Sequence, residues 1–163
     1  MKVYGAKTSS NVQKVLWCAA ELGLALERIE IGAAFGGLRS AAYLALNPNG
    51  LMPTLDDDGF VLWESNVIVR YLAAKHGMGT LCPAGLVQRA DIERWMDWQQ
   101  TTVAPPMGIA FRALLRDPPD AAPAESVRAA VQKAGDAWKI LDAHLAHRAF
   151  VGGDMLTMGD ITL

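Results

Sequence analysis

An α/β unit followed by an all-α unit is the architecture this sequence predicts, and three observations carry it. Over the first 77 residues, short strand-like apolar stretches alternate with stretches of helical period; a Gly- and Pro-rich stretch over 78–85 follows; beyond it every apolar pattern is helical. At 163 residues the chain has room for two small domains, 1–77 and 86–163, joined by a linker over 78–85. Its 52% of apolar residues is enough to fill a core in each.

Residues 2–4 read as a strand. Thr8, Ser9, Ser10 and Asn11 are a cluster of helix-capping residues, after which Val12, Val15, Leu16, Ala19 and Leu22 recur at helical spacing until Gly23 stops them. Residues 27–31 read as a second strand, because Ile29 and Ile31 alternate with charged neighbours. The Gly-rich piece 32–37 is a loop, and a short helix over 41–46 precedes the turn Asn47-Pro48-Asn49-Gly50. Asp58-Gly59, between apolar pieces at 54–55 and 61–63, signals a type I′ hairpin. A helix opens at Ser65 with Val67, Ile68, Tyr71 and Leu72 on its apolar face. This order means a parallel βαβ unit joined to an antiparallel hairpin, which is thioredoxin-like.

In the second half, residues 89–103 carry Ile92, Trp95, Met96 and Gln99 down one side, and Pro105-Pro106 should bend or interrupt that helix. Residues 116–120 read as a loop, and Val127, Val131, Ala134, Trp138, Leu141 and Leu145 then form a long apolar stripe. Near the end, Thr157 and Asp160 make a capping box and Leu156 and Ile161 a hydrophobic staple. A helix start so well specified, followed only as far as Leu163, predicts a C-terminal truncation.

Composition excludes several function classes. A formal charge of −2 with mixed signs gives no basic footprint, so nucleic acid is not expected as a partner. No apolar run is long enough for a membrane span or a signal peptide, which predicts a cytoplasmic protein with no membrane partner. Cys18 and Cys82 are far apart and lack any C-x-x-C spacing, which argues against a dithiol centre. Cys18 reads as a small core residue and Cys82 as an exposed or half-buried thiol. His76, His144 and His147 read as surface residues; the last two share a helix face but lack a third ligand, so no metal is expected.

The chemistry concentrates in two pieces, Leu46-Asn47-Pro48-Asn49-Gly50-Leu51-Met52-Pro53-Thr54-Leu55 and Trp63-Glu64-Ser65. Pro53 stands either in a cis bond or as an ordinary trans proline entering an edge strand, and the local sequence leaves both open. A cis bond would turn the Met52 backbone N–H and C=O outward, where they can pair with an extended ligand. Ser65 reads as an N-cap whose amide and helix dipole attract a carboxylate, and Glu64 beside it can take an ammonium group. A ligand carrying both charges on one carbon fits that pair. Ser9 and Ser10 alone read as helix caps. With the Met-Pro loop and Glu64-Ser65 also present, a functional role for them prevails. Met107, Phe111 and Trp98 are candidates to line an apolar pocket between the domains, although a core role fits them equally well.

Together, Ser9-Ser10-Asn11-Val12-Gln13-Lys14-Val15, the Asn-Pro-x-Gly-x-x-Pro-x-Leu loop, Trp63-Glu64-Ser65 and the late Thr157-x-x-Asp160 cap resemble the cytosolic glutathione transferases, most of all bacterial theta-, delta- or nu-like members. The resemblance implies a thioredoxin-like domain and an all-α domain that is incomplete here. It implies conjugation of glutathione, as co-substrate, to hydrophobic electrophiles, with no cofactor and with a homodimer as the assembly. By position, Ser9 corresponds to the hydroxyl that activates the thiol and Asn11 to an auxiliary amide, while the sequence leaves open whether Ser9 or Ser10 touches sulfur. Ser10, Met52, Pro53, Glu64 and Ser65 correspond to the glutathione-binding set, and Met107 and Phe111 fall to the electrophile pocket. Gly50 stands where related classes place a His or another side chain reaching toward the glycyl end. A glutathione-dependent oxidoreductase is disfavoured, because Ser and not Cys holds the active position. A non-catalytic binding or assembly module, or an inactive truncated fragment, is the remaining alternative.

Overall fold

The computed structural model describes residues 1–118 and 121–163, and the chain divides into two compact units, residues 1–84 and 85–161. In the first, β1 (Lys2–Tyr4), α1 (Ser10–Glu21), β2 (Glu27–Ile29), a 3-10 turn (Ala33–Phe35), α2 (Ala41–Leu46), β3 (Thr54–Asp57), β4 (Phe60–Trp63) and α3 (Ser65–His76) follow one another. The strands form one sheet in the order β2-β1-β3-β4. β1 runs parallel to β2 and antiparallel to β3, with Val3 opposite both Arg28 and Leu55. Asp58 and Gly59 join β3 to β4 at φ 53° and 96°, the two positive values that a type I′ turn requires.

Helices α1 and α3 pack together. Val12, Val15, Cys18 and Ala19 of α1 are buried, as are Ile68, Val69, Leu72 and Ala73 of α3. The α3 face therefore departs from the sequence expectation: Val67 is exposed and Tyr71 only half-buried. Tyr71 is drawn to the hairpin instead, its hydroxyl donating to Asp57 Oδ2 at 2.6 Å and its ring tilted against Phe60. β2 stops two residues before Ile31, where the chain enters a loop closed by Gly32 N–H donating to the Gly36 carbonyl at 2.7 Å.

The second unit holds α4 (Leu86–Trp98), a π-helical turn (Gln99–Val103), α5 (Ala104–Phe111), a second π-helical turn (Arg112–Arg116), α6 (Ala124–Leu145) and α7 (Met158–Thr162). Pro105 and Pro106 do not break the helical run. They lie in the first turn of α5, directly after the widened turn, where a missing N–H is tolerated. Of the loop expected over 116–120, residues 119 and 120 lie outside the described residues.

On α6 the buried positions are Ala130, Ala134, Ala137 and Leu141, whereas Val131 and Trp138 are 48% and 37% exposed. The largest apolar side chains do not define the packed face there; alanines do, because they allow α5 and α6 to approach closely. Trp95, Leu141 and Val151 form a core cluster with Trp98 and Leu145 against it. Cys82 is fully buried, contrary to expectation, since the 77–82 turn folds over it: its N–H donates to the Gly77 carbonyl and its own carbonyl accepts from Gly79. His144 is no free surface residue either. Its ring centroid lies 4.4 Å from that of Trp95, and Nε2 is 2.9 Å from the Val151 carbonyl.

Candidate functional site

The loop between α2 and β3 is held from within by buried polar groups. Asn47, 2% exposed, donates through Nδ2 to the Leu51 carbonyl at 2.9 Å and to Thr54 Oγ1 at 3.1 Å. Its Oδ1 accepts from the Asn49 backbone N–H and from Asn49 Nδ2, each at 3.1 Å. The Tyr43 hydroxyl donates to the same Leu51 carbonyl at 2.6 Å and lies 2.9 Å from Thr54 Oγ1. Burial pushes the Tyr43 pKa up, so this hydroxyl stays a donor across the physiological range. With the inner side of the loop saturated, its outer backbone is left for other partners.

The Met52-Pro53 bond is cis. Among the described residues, neither the N–H nor the carbonyl of Met52 makes a hydrogen bond. The Met52 thioether accepts from the Ala6 N–H at 3.4 Å, which ties the loop to the end of β1.

β4 ends at Trp63, and the chain turns into α3 through Glu64, which sits at φ 74°, ψ 110°. A positive φ at a non-glycine residue is uncommon and concentrates at functional turns. Glu64 and not Ser65 occupies the N-cap; Ser65 is the first helical residue and is buried, which corrects the sequence expectation. One cleft of about 60 Å³ is lined by Asn11, Met52, Pro53, Glu64 and Ser65, together with Asn47, Asn49 and Leu51. Chain segments from α1, the α2–β3 loop and the start of α3 thus converge on one spot.

Ser9 is the N-cap of α1 and its side chain makes no capping bond, while Ser10 is the first helical residue. Neither is among the residues lining the cleft, where Asn11 represents α1. Met107 and Phe111 lie on α5, both largely exposed, and Trp98 packs edge-on against Trp95 with centroids 5.2 Å apart. Burial pushes the Cys18 thiol up to about 12, which removes it as a nucleophile at neutral pH. Among the described residues, no group of three or more His, Cys, Asp or Glu is placed to hold a metal. No helix among them is long and apolar enough to cross a membrane.

Sequence reasoning missed two contributors. Asn47 was legible only as a turn residue, although a buried amide must find partners and so marks a pinned loop. Arg39 was not singled out at all. Its Nη1 donates to the Asn49 carbonyl at 3.3 Å and lies only 2.7 Å from where a Cβ on Gly50 would stand. The guanidinium therefore uses the space that the glycine leaves.

Residues 8–75 match the family described as glutathione S-transferase, N-terminal domain. Glutathione S-transferase GstB of Escherichia coli K12 is 39% identical over 163 residues, an alignment covering 99% of this chain and 78% of that protein. The chain belongs to the glutathione S-transferase family. Another member, glutathione S-transferase 3 of Zea mays, is 32% identical, with 98% of this chain and 73% of that protein covered. Among solved glutathione S-transferases, the theta-class enzyme of Xanthomonas axonopodis pv. citri with glutathione bound superposes with a TM-score of 0.93 at 44% identity. That match covers 99% of this chain and 77% of the other.

Proposed function

We propose that this glutathione S-transferase binds glutathione in the cleft between Asn11, Met52, Glu64 and Ser65, and conjugates its thiolate to hydrophobic electrophiles as a homodimer. The convergence of those side chains and of an unpaired Met52 backbone on one cleft supports the reading.

In this reading the Met52 N–H and C=O pair with the cysteinyl unit as a short added strand. The γ-glutamyl carboxylate meets the Ser65 amide at the positive end of α3, and its ammonium meets Glu64. Arg39, lying beside Asn49 and Gly50, receives the glycyl carboxylate. Ser9, whose hydroxyl is not spent on capping, donates its proton toward sulfur, assisted by the Asn11 amide.

The energetics allow this without a general base. A free thiol titrates near 8.5, and lowering it by about two units takes roughly 2.7 kcal/mol. A helix N-terminus supplies about 0.3–2 kcal/mol to an adjacent anion. A hydrogen bond to a charged group supplies about 1.5–3 kcal/mol. The thiolate then attacks the carbon bearing the leaving group. A carbon–sulfur bond forms, and the leaving group, a halide for an aryl halide, departs with its electron pair. Met107 and Phe111 offer the adaptable apolar surface that such substrates need.

Calorimetric titration with glutathione, paired with a chromogenic aryl-halide conjugation assay, tests the proposal. Saturable binding with conjugate formation is the expected result. Binding without conjugate would mean a non-catalytic module, and no binding would refute the site.

A further inference from the structure

α1 buries a cation among its apolar contacts. Val12, Val15, Cys18 and Ala19 form its packed face, and Lys14 is buried with them at 9% exposure. Taking an ammonium out of water is unfavourable even after relaxation, and the loss of hydration here lowers the Lys14 pKa to about 8. An aliphatic residue at this position would avoid that penalty. A buried charge of this kind departs from the usual rule for helix cores, and such departures are expected at functional or strained sites.

The ammonium donates to Asn66 Oδ1 at 3.4 Å, across the α1–α3 contact. Asn66 is itself 2% exposed and is the second residue of α3, directly after Ser65. Lys14 also lies one turn beyond Asn11 on α1, at the i, i+3 spacing that places two side chains on neighbouring parts of one surface. This polar contact joins the helix that supplies Asn11 to the turn that supplies Glu64 and Ser65.

We propose that Lys14 is a positioning residue for glutathione: through Asn66 it fixes the first turn of α3, and with it the Ser65 amide and the Glu64 carboxylate, against the wall of the cleft that α1 provides. The proposal rests on the glutathione reading given above. Lys14 touches no substrate atom; it acts through Asn66.

The test measures glutathione affinity by calorimetry, steady-state kinetics with an aryl halide, and thermal melting. The proteins compared are the wild type, Lys14→Met, Lys14→Arg, Asn66→Ala and the double variant Lys14→Met/Asn66→Ala. Losing the contact should weaken glutathione binding and raise its KM by about tenfold, the scale of one charge-assisted hydrogen bond. Catalytic turnover at saturation should stay within about twofold, since only binding is disturbed. Melting of Lys14→Met should not fall, because a buried charge has been removed. Lys14→Arg should recover most of the affinity, and the double variant should bind no more weakly than the worse single one.

Unchanged affinity in Lys14→Met would overturn the proposal while leaving the glutathione site standing. So would affinity and melting temperature falling together, with no recovery in Lys14→Arg and additive losses in the double variant; that pattern marks packing alone. A wild type that binds no glutathione would overturn the site reading and this proposal with it.

Discussion

Gly50 leaves space that a neighbouring side chain uses. Lacking a side chain, it lets the Arg39 guanidinium come within 2.7 Å of where its Cβ would be, beside the Asn49 that lines the cleft. If that guanidinium takes the glycyl carboxylate, Arg39→Ala should weaken glutathione by roughly fivefold, as for a solvent-exposed ion pair. It should leave the dipeptide γ-glutamylcysteine, which has no glycine, almost unaffected. Calorimetry with the two ligands checks this, and an equal loss for both would remove Arg39 from the site. At this scale the sequence was legible where a motif is local. Met52-Pro53 and Glu64-Ser65 stand out as short motifs, but their backbone geometry does not: the local sequence leaves Pro53 open between cis and trans and puts the cap of α3 at Ser65, whereas the bond is cis and Glu64 holds the cap. Arg39 and Asn47 were not legible, because their partners become neighbours only when the α2–β3 loop closes.

The elements divide in a similar way. The hairpin and the α2 bounds follow from turn chemistry and capping residues, which act over a few positions; α4 instead spans Leu86–Trp98 where the pattern predicts a helix over 89–103, and α3 opens without the Ser65 cap. The packed faces of α3 and α6 do not follow from apolar size: Val67 and Trp138 face outward, while alanines and Val69 are buried. Tertiary approach distance selects those faces, and periodicity alone does not encode it. The start of α7 is a case where local chemistry and packing agree. The Asp160 carboxylate accepts from the Thr157 N–H and Thr157 Oγ1, each at 2.9 Å, and from the Val151 N–H at 2.8 Å. Asp160→Ala should therefore cost about 2–3 kcal/mol, since it strands a half-buried amide as well as a cap. Thr157→Ala should cost about 1 kcal/mol. Urea midpoints of the two variants decide it; equal losses would show that the link to Val151 carries no weight.

For the molecule as a whole, two buried groups in the α1–α3 layer make stability depend on alkaline pH in opposite senses. Lys14 falls to about 8 in the fold from an ordinary 10.5, so above pH 8 the unfolded chain holds more protons and stability rises with pH. Cys18 rises to about 12 from 9.0, so its contribution is present below pH 9 and lost as pH climbs beyond. Of these two, Lys14 alone changes between pH 8 and 9. Denaturant midpoints should rise across that unit and flatten above it, and Lys14→Met should abolish the rise. A wild type that loses stability from pH 8 upward would contradict the buried cation. The change of period near residue 77 and the Gly- and Pro-rich stretch over 78–85 are compositional signals, and the chain divides into compact units between residues 84 and 85.

The central claim is that sulfur is held as an anion by a hydroxyl and the start of α1, with no base to take its proton. Ultraviolet titration of the thiolate in the glutathione complex tests it directly. The bound thiol of the wild type should titrate about two units below the free value near 8.5. Ser9→Ala should move that midpoint back up by about one unit, the scale of one lost charge-assisted bond, and Ser10→Ala should leave it in place. A bound thiol that titrates like the free one, or a midpoint unmoved by Ser9→Ala, would contradict the account.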